Sequence, residues 1–463
     1  MKIRVRQRSY EEVLKIPPFP HRDPVKQSPF LRKLVKIVSA GELKQVRFSC
    51  SYENRTKAAG FPDTEADAPG FPDTKALLSD GTPCLFLMNH SCFTDLMIAG
   101  TLLAKKPYHI VCTVDGFVGK DGLMRHLGCI PTKKFTTDLS LVRDMVFVTK
   151  ELKESVLMYP EASYTFDGTA TPPPKSLAKC LKLLKAPVVM IRTEGAFLRD
   201  PLYNCLQKRN VTVTAKVSLL LTPEEIRAKS PAELNAILKD AFTFDGFQWQ
   251  KDNRVRITEP FRADGLERVL YKCPICGTEG KMLGKGIRLH CGNCGADWEL
   301  DEYGYLVNNS AAAISADVPQ AVTPADAPVP LDFSHVPDWY RWERECVRKE
   351  IADGTYRMEL PVKILALVNT DAAYEIGTGT LLHTPEGFHL TGCGGALDYR
   401  QPAAASYSLY ADYFWYEIGD MVCIGNTDIQ YYCFPQMPEG ESAIVAKARL
   451  AAEEIFISII SRP

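Results

Sequence analysis

The sequence predicts an α/β domain, then a small four-cysteine module, and then a mostly β domain that ends in a helix. Three observations support this order. Strand-like and helix-like segments alternate between residues 83 and 242, which is typical of a mixed sheet flanked by helices. Two Cys-x2-Cys pairs follow this region. After residue 338, many short strand-like runs precede a final segment with helical periodicity.

The elements of the α/β domain are predicted by their apolar patterns and their boundaries. Cys84–Met88 is a short apolar run typical of a buried strand, and Phe93–Ala104 has the pattern of a helix. Ser230 begins a helix that runs to Phe242, with Glu233 at the capping-box position. Further strands are predicted at His109–Val114, Ser155–Met158, Pro187–Ile191 and Val211–Leu221.

The C-terminal region is predicted to be mostly β. A helix is expected at Trp339–Ile351, and Ser442–Ser461 carries apolar residues at helical spacing. Six or seven short strands with a final helix resemble the pleckstrin-homology and GRAM class, in which a helix plugs one end of a bent β-sandwich. The strand-like runs are Lys363–Asn369, Leu381–His383, Phe388–Thr391, Ser406–Tyr410, Tyr413–Ile418, Met421–Ile424 and Ile429–Cys433.

Changes in composition divide the 463 residues into five segments. Asn308–Pro330 is rich in Ala, Pro and Val and almost lacks cations, which is a linker composition. The predicted segments are a basic N-terminal segment (1–50), the α/β domain (51–265), the cysteine module (266–306), the linker (307–337) and the β-rich domain (338–463).

Overall composition excludes several classes of protein. The net charge is −1 and the pI about 6.7, so the overall charge of the chain does not favour binding to nucleic acid. The longest apolar runs, such as Leu96–Ala104, are far shorter than the roughly 18–20 residues that span a bilayer. Met1–Arg8 has no secretory pattern, and the 15 cysteines are scattered, which is typical of a reducing compartment. We therefore expect a cytoplasmic protein.

The basic N-terminal segment offers a candidate membrane contact. Residues 1–50 hold 12 Lys/Arg and 4 Asp/Glu. Phe30–Val38 has the pattern of a basic amphipathic helix, which suits an anionic membrane surface. The alternative is a solvated helix whose apolar face packs into the core, and the shortness of the segment slightly favours that alternative.

The candidate catalytic pair is His90 and Asp95, directly after the predicted strand Cys84–Met88. A carboxylate at a helix start can bond one ring nitrogen of a histidine and raise the basicity of the other, as a general base requires. Taken alone, this spacing is a weak signal and favours a histidine in a turn that caps a helix. Further motifs are needed to decide between the two.

Four blocks in order resemble those of the glycerolipid acyltransferases, the family that includes 1-acylglycerol-3-phosphate acyltransferase. Asn89–Asp95 resembles the NHxxxxD block. The family's second block is similar to Gly128–Lys134, its third block to Tyr159–Ser163 and its fourth block to Ala186–Ile191. The resemblance covers roughly residues 30–245. It implies an acyltransferase domain with His90 as general base and Asp95 as the residue that orients it.

The resemblance also implies the substrate-binding residues. Lys133 and Lys134 fall where the family uses a cation for the acceptor's phosphate, and Lys134 stands at the family's Arg position. Glu161 and Ser163 of the third block would hold the acceptor or brace the site. The resemblance implies direct acyl transfer, so the neighbouring Ser91 and Cys92 are interpreted as structural rather than nucleophilic.

The implied function is transfer of a fatty acyl group from acyl-CoA or acyl-carrier protein to a lysophospholipid-type hydroxyl in phospholipid biosynthesis. A 1-acylglycerol-3-phosphate-like acceptor would place the protein peripherally at the inner membrane face. Two departures leave the acceptor open: Lys134 replaces Arg, and Tyr164 stands where the third block commonly continues with Arg. They motivate an alternative, a non-catalytic membrane or protein adaptor that uses the acyltransferase scaffold to bind lipid.

The cysteine module has the spacing of a zinc ribbon. Its two Cys-x2-Cys pairs are separated by 14 residues. Four thiolates would close the coordination shell of Zn²⁺, which predicts a structural site. A pair of redox motifs is the competing interpretation, and His290 is a lesser alternative ligand. Few cations lie in the module, so nucleic acid is not expected as a partner. The predicted ligands are Cys273, Cys276, Cys291 and Cys294.

Overall fold

The computed structural model describes residues 2–55, 73–136, 139–205, 207–310, 333–442 and 444–460. These residues form a seven-stranded, a four-stranded and an eight-stranded sheet. The predicted linker (307–337) lies outside the described residues between positions 311 and 332. No helix in the described part of the chain is long and apolar enough to cross a bilayer.

The first half of the chain alternates strands and helices as expected. Its elements, in chain order, are β1 (Val5–Gln7), α1 (Tyr10–Val13), α2 (Pro29–Gln45), β2 (Ser49–Glu53), β3 (Leu85–Met88), α3 (Thr94–Leu102), β4 (Tyr108–Thr113), α4 (Asp121–His126), β5 (Cys129–Thr132), α5 (Leu139–Phe147), β6 (Ser155–Met158), α6 (Leu177–Leu184), β7 (Val188–Glu194), α7 (Ala196–Arg199), β8 (Thr214–Leu221), α8 (Pro223–Ala228), α9 (Pro231–Phe242) and α10 (Gly246–Asp252).

The seven-stranded sheet is mixed and has the order β2-β8-β7-β3-β6-β4-β5. Strand β3 is fully buried between its parallel neighbours, with Leu85 opposite Val188 on β7 and Val156 on β6. Strands β4, β5 and β6 run in the same direction. Because parallel strands end at the same edge of a sheet, the residues that follow β3, β5 and β6 meet there.

The N-terminal segment differs from the expectation in two ways. Strand β1 pairs in parallel with a strand of the C-terminal sheet, with Val5 opposite Ala373. Helix α2 contains the predicted basic stretch, but Phe30, Ile37 and Val38 are 70% or more exposed. The interpretation in which this apolar face packs into the core is therefore wrong for these three residues.

The cysteine module is a small antiparallel sheet of four strands in the order β12-β11-β10-β9. It packs on the next domain through aromatic side chains, and the ring centroids of Trp298 and Trp339 are 4.9 Å apart. Its apolar residues belong to the same buried cluster as those of the C-terminal domain. Its strands are β9 (Met282–Lys285), β10 (Arg288–Cys291), β11 (Asp297–Leu300) and β12 (Leu306–Asn308).

The C-terminal region is mostly β, as predicted, and both of its predicted helices are present. Two antiparallel meanders share one continuous sheet, in the order β16-β15-β14-β13-β19-β18-β17, with β1 added beside β14. The elements are α11 (Val336–Ala352), β13 (Met358–Leu367), β14 (Ala373–Thr384), β15 (Gly387–Gly392), β16 (Leu397–Pro402), β17 (Tyr410–Trp415), β18 (Gly419–Gly425), β19 (Gln430–Pro435) and α12 (Val445–Ile460).

One strand assignment in this domain is corrected by the structure. Separate strands were expected at Ser406–Tyr410 and Tyr413–Ile418, whereas the single strand β17 covers residues 410–415. A 3₁₀ turn at Ala403–Ala405 precedes it, and Phe414, Tyr416 and Glu417 have left-handed backbone angles. These angles end the strand in a turn that leads into β18. Helix α12 packs against α11 and the β17–β18 hairpin.

Candidate active site

His90 follows the central strand β3, and its ring lies beside Asp95 in the first turn of α3. Nδ1 of His90 is 3.3 Å from Oδ2 of Asp95, and Asp95 is fully buried. The same oxygen accepts hydrogen bonds from the backbone N–H groups of Ser91 at 2.6 Å and Cys92 at 3.1 Å. The backbone therefore fixes the carboxylate, and the carboxylate orients the imidazole.

Thr193, at the end of β7, holds the other side of this pair. Its hydroxyl lies 3.3 Å from Oδ1 of Asp95. Its backbone N–H donates to Oδ1 of Asn89 at 2.8 Å, and its carbonyl accepts from Nδ2 of Asn89 at 3.1 Å. Asn89 thus ties the end of β3 to β7, which explains why an amide side chain stands directly before the histidine.

Two tyrosines enclose the ring of His90. The ring stacks on Tyr159 at a centroid distance of 3.9 Å and contacts Tyr164 at 4.2 Å. The His90 side chain is 15% exposed. Burial lowers the pKa of His90 below the usual 6.5, although Asp95 acts in the opposite direction. The imidazole is therefore neutral at neutral pH, the form that accepts a proton.

Glu161 lies behind His90 rather than on the cavity wall. Its Oε1 accepts from the backbone N–H of His90 at 3.2 Å, and its Oε2 accepts from the backbone N–H of Thr171 at 3.0 Å. It is 1% exposed, and burial raises its pKa to about 8. Ser163 is also buried, and its Oγ has no hydrogen-bond partner among the described residues. Neither predicted residue lines the open cavity, and Glu161 contacts the loop that carries the histidine.

Lys133 and Lys134 follow β5 and line the same cavity as His90. The ammonium of Lys134 lies 4.1 Å from the ring centroid of Tyr410 on β17. No carboxylate of the described chain lies within ion-pair distance of it. Burial lowers the pKa of Lys134, while Asp412 and Asp115 act in the opposite direction. The arrangement places a half-buried cation where an anionic group of a ligand can reach it.

A cavity of about 1470 Å³ opens in front of His90. The ends of β4, β5 and β6 form its floor, and the C-terminal domain forms part of its wall through Tyr407, Tyr410, Asp412 and Phe456. Many of its lining side chains are apolar, among them Leu139, Met145, Met158, Leu177 and Leu183. Its size and apolar lining suit a ligand with a long hydrocarbon chain.

Sequence reasoning missed the residues that the second half of the chain brings to this site. Asp115 accepts hydrogen bonds from the hydroxyl of Tyr410 at 3.1 Å and from Nε1 of Trp415 at 2.9 Å. Asp412 lines the cavity beside them, and burial raises its pKa to about 7. No local motif marks these residues, because they meet only through contacts between distant parts of the chain.

The family model described as Acyltransferase matches residues 72–193. The match covers about a quarter of the chain, and we call the region that contains it the acyltransferase domain. The matched range contains His90, Asp95, Lys134 and Glu161 and ends at Thr193, so it covers the whole polar arrangement around the histidine. The cysteine module and the C-terminal domain lie outside it.

Six chains of solved structures are similar to this protein. The chain is similar to the 1-acyl-sn-glycerophosphate (LPA) acyltransferase PlsC from Thermotoga maritima, with 13% sequence identity and a TM-score of 0.32. The similarity covers 46% of this chain and 77% of that one. No curated protein matches the chain.

The four predicted cysteines of the module downstream of the acyltransferase domain meet in one cluster. Their Sγ atoms all lie within 4.8 Å of one another, and two of the pairs, Cys273 with Cys294 and Cys276 with Cys291, are 3.8 Å apart. Four sulfurs held tetrahedrally about 2.3 Å from Zn²⁺ would be about 3.8 Å apart. The residues therefore fit a tetrahedral metal ion. His290 does not belong to this cluster.

Proposed function

We propose that the protein transfers a fatty acyl group from acyl-CoA or acyl-carrier protein to the hydroxyl of a lysophospholipid-type acceptor in phospholipid biosynthesis. The observation that carries the proposal is the buried His90–Asp95 pair at the wall of an apolar cavity in a matched acyltransferase domain. A base and its orienting carboxylate are what a hydroxyl needs to attack a thioester.

The proposed reaction is a direct transfer. Nε2 of His90 takes the proton of the acceptor hydroxyl while the hydroxyl oxygen forms a bond to the thioester carbonyl carbon. The carbon–sulfur bond then breaks, and the imidazolium returns the proton to the leaving thiolate. Asp95 stabilises the imidazolium between these steps. In a direct transfer neither Ser91 nor Cys92 acts as a nucleophile, and both support Asp95 through their backbone N–H groups.

Lys134 is proposed to bind the acceptor's phosphate, as in a 1-acylglycerol-3-phosphate-like substrate. Its ammonium is held over Tyr410 without a carboxylate in ion-pair contact in the described chain. A phosphate would replace part of the hydration that burial removes. Lys133 lines the same cavity and would add a second positive charge.

The cysteine cluster is proposed to hold a structural Zn²⁺. All four coordination positions would be taken by thiolates, so no position would remain for water or substrate. The ion would stabilise a module whose strands have only three or four residues each.

Helix α2 is proposed to place the enzyme on the inner face of a membrane. Phe30, Leu34, Ile37 and Val38 are exposed at helical spacing. Two exposed basic residues of the same helix, Lys33 and Lys36, suit anionic headgroups. Val35 of this helix and Leu123 of α4 line the cavity, so a lipid acceptor would reach the active site from this side.

The test is acylation of a panel of lysolipids by purified protein, with labelled acyl-CoA or acyl-carrier protein as the donor. Wild type is compared with His90→Ala and with His389→Ala. His389 forms a matched histidine–aspartate pair with Asp398 at 2.8 Å but does not line the cavity. A labelled lipid from wild type and His389→Ala, absent with His90→Ala, supports the proposal and identifies the acceptor. Silence of every donor–acceptor pair with folded protein contradicts it and favours the non-catalytic adaptor.

A further inference from the structure

Helix α12 of the C-terminal domain carries an arginine into the acyltransferase domain. Arg449 is 4% exposed. Its guanidinium lies 4.6 Å from the ring centroid of Phe166. Nη2 of Arg449 donates to Oγ1 of Thr171 at 3.1 Å. Phe166 and Thr171 both lie just beyond the third acyltransferase block. Nε of Arg449 donates to Glu453 at 3.2 Å, which fixes the side chain from its own helix.

Thr171 links this arginine to the catalytic histidine. The side chain of Thr171 accepts from Arg449, while its backbone N–H donates to Oε2 of Glu161 at 3.0 Å. The other oxygen of Glu161 accepts from the backbone N–H of His90 at 3.2 Å. Four residues therefore form one hydrogen-bonded series from α12 to the loop that carries His90.

The charge of Arg449 also acts on Glu161. Burial raises the pKa of Glu161, and Arg449 is the charged side chain that opposes this, whereas Asp95 adds to it. Both oxygens of Glu161 accept backbone N–H groups. An ionised carboxylate accepts such bonds more strongly than a protonated carboxyl, whose hydroxyl oxygen also acts as a donor. Arg449 thus favours the form of Glu161 that holds both backbone N–H groups more strongly.

We propose that Arg449 is a positioning residue of the active site, which holds Thr171 and Glu161 and thereby the backbone of His90. The acyltransferase domain has Tyr164 where its third block commonly continues with Arg, so a cation from another domain would serve this region. The kinetic consequence rests on the proposed acyl transfer. The effect on the pKa of Glu161 does not depend on acyl transfer, and it can be measured separately.

The cysteine module holds the start of the same helix. Lys447 lies 2.7 Å from Glu279 of the module and 2.8 Å from Glu350 of α11. The backbone N–H of Ser442 donates to the carbonyl of Gly280 at 3.0 Å. Since Glu279 and Gly280 follow the first cysteine pair, the module fixes α12 two residues before Arg449. The second half of the chain is then part of the catalytic unit rather than an appended domain.

The test compares three substitutions with one control. Arg449→Gln removes the charge, Arg449→Lys keeps it, and Thr171→Val removes the hydroxyl acceptor while keeping the backbone N–H. The control is Arg348→Gln, which breaks the 2.8 Å ion pair between α11 and Glu454 of α12 without touching Thr171. Melting temperatures of all variants show whether the fold is kept.

Two measurements are made on each variant. The pKa of Glu161 is followed by NMR of protein labelled with ¹³C in the glutamate carboxyl groups, with Glu161→Gln used to assign the signal. The transfer rate is measured from pH 6 to 9. In Arg449→Gln we expect the pKa of Glu161 to rise above its wild-type value and kcat to fall on the order of 10- to 100-fold. In Arg449→Lys we expect the pKa of Glu161 and kcat to lie between those of wild type and Arg449→Gln. Thr171→Val should lower kcat, and its combination with Arg449→Gln should cause no further loss.

Unchanged pKa of Glu161 in Arg449→Gln, with a kcat within twofold of wild type, would overturn the proposal. An equal loss of kcat in Arg449→Gln and Arg348→Gln would also overturn it, because the arginine would then serve only to dock the helix. If wild type shows no transfer, the proposed function fails. The shift in the pKa of Glu161 then still decides whether Arg449 positions that carboxyl group.

Discussion

The hydroxyl of Tyr410 lies 3.1 Å from Oδ2 of Asp115, and this bond joins the C-terminal domain to the acyltransferase domain at the cavity. The ring of the same tyrosine lies 4.1 Å from the ammonium of Lys134. One residue of the second domain therefore contacts both a buried carboxylate and the proposed phosphate ligand. Substitutions of Tyr410 therefore test whether the C-terminal domain takes part in substrate binding.

Two substitutions of Tyr410 separate its hydroxyl from its ring. Tyr410→Phe removes the bond to Asp115 and is expected to lower the free energy of unfolding by about 1–3 kcal/mol, with little change in KM. Tyr410→Ala also removes the ring over Lys134, and we expect KM for an anionic lysolipid to rise about 2- to 10-fold. Urea unfolding and initial rates measure the two effects. Equal KM values in the two variants would show that the ring does not hold Lys134 for the acceptor.

The rate should depend on pH through the imidazole of His90. Because burial lowers the pKa of His90 below 6.5, the neutral base persists below that pH, and protonation of the ring lowers kcat/KM only under more acid conditions. Asp95 raises this pKa, so Asp95→Asn should move the acid limb to lower pH and lower kcat on the order of 10²- to 10⁴-fold. The measurement is log kcat/KM from pH 5 to 9. Protonation of Glu161, whose pKa is about 8, should add a second and smaller decrease at higher pH, because its ionised form holds the backbone of His90 more strongly. A limb that moves to higher pH in Asp95→Asn would contradict the assignment.

Removal of the proposed zinc ion should lower the stability of the fold, and acyl transfer should fall as a consequence. We expect one Zn²⁺ per chain by elemental analysis and its loss in Cys276→Ser. Melting temperature should fall in the variant and in chelator-treated protein, since metal binding to the folded module contributes to folding free energy. Cys50→Ser, a half-buried cysteine far from the module in sequence, is the control. Unchanged melting together with zero zinc in wild type would exclude a structural metal site.

The apolar face of α2 should govern binding to lipid vesicles. Replacing both Ile37 and Val38 by Glu puts charges at two positions that are each 70% exposed. We expect flotation with anionic phosphatidylglycerol vesicles to fall severalfold, while binding to neutral vesicles stays weak. Leu283→Glu, which changes an exposed residue of the cysteine module, should leave flotation unchanged. Equal flotation of all three proteins would place the membrane contact elsewhere.

Local patterns were sufficient for the parts of the site that lie close together in sequence. His90 and Asp95 are five residues apart, and the turn between β3 and α3 brings them into contact. The two cysteine pairs are each held by a short loop, so their spacing predicted the cluster. The capping box at Ser230 and Glu233 is likewise a local arrangement, and it is present in the structure.

Contacts between distant residues could not be predicted from such patterns. Arg449 and Thr171 are 278 positions apart, and only the docking of α12 on the acyltransferase domain brings them together. Strand β1 has no apolar pattern of its own, because its pairing with β14 leaves its side chains exposed. The apolar residues of α2 left open whether this face contacts a membrane or packs into the core, because their exposure depends on what packs beside the helix.

The proposed role of His90 as the base for acyl transfer is measured by the rate of thiol release from acyl-CoA in the presence of the acceptor. We expect His90→Ala to reduce kcat on the order of 10²- to 10⁴-fold, with an unchanged melting temperature. His389→Ala should release thiol at the wild-type rate. A His90→Ala protein that transfers the acyl group at a rate close to that of wild type would contradict the account.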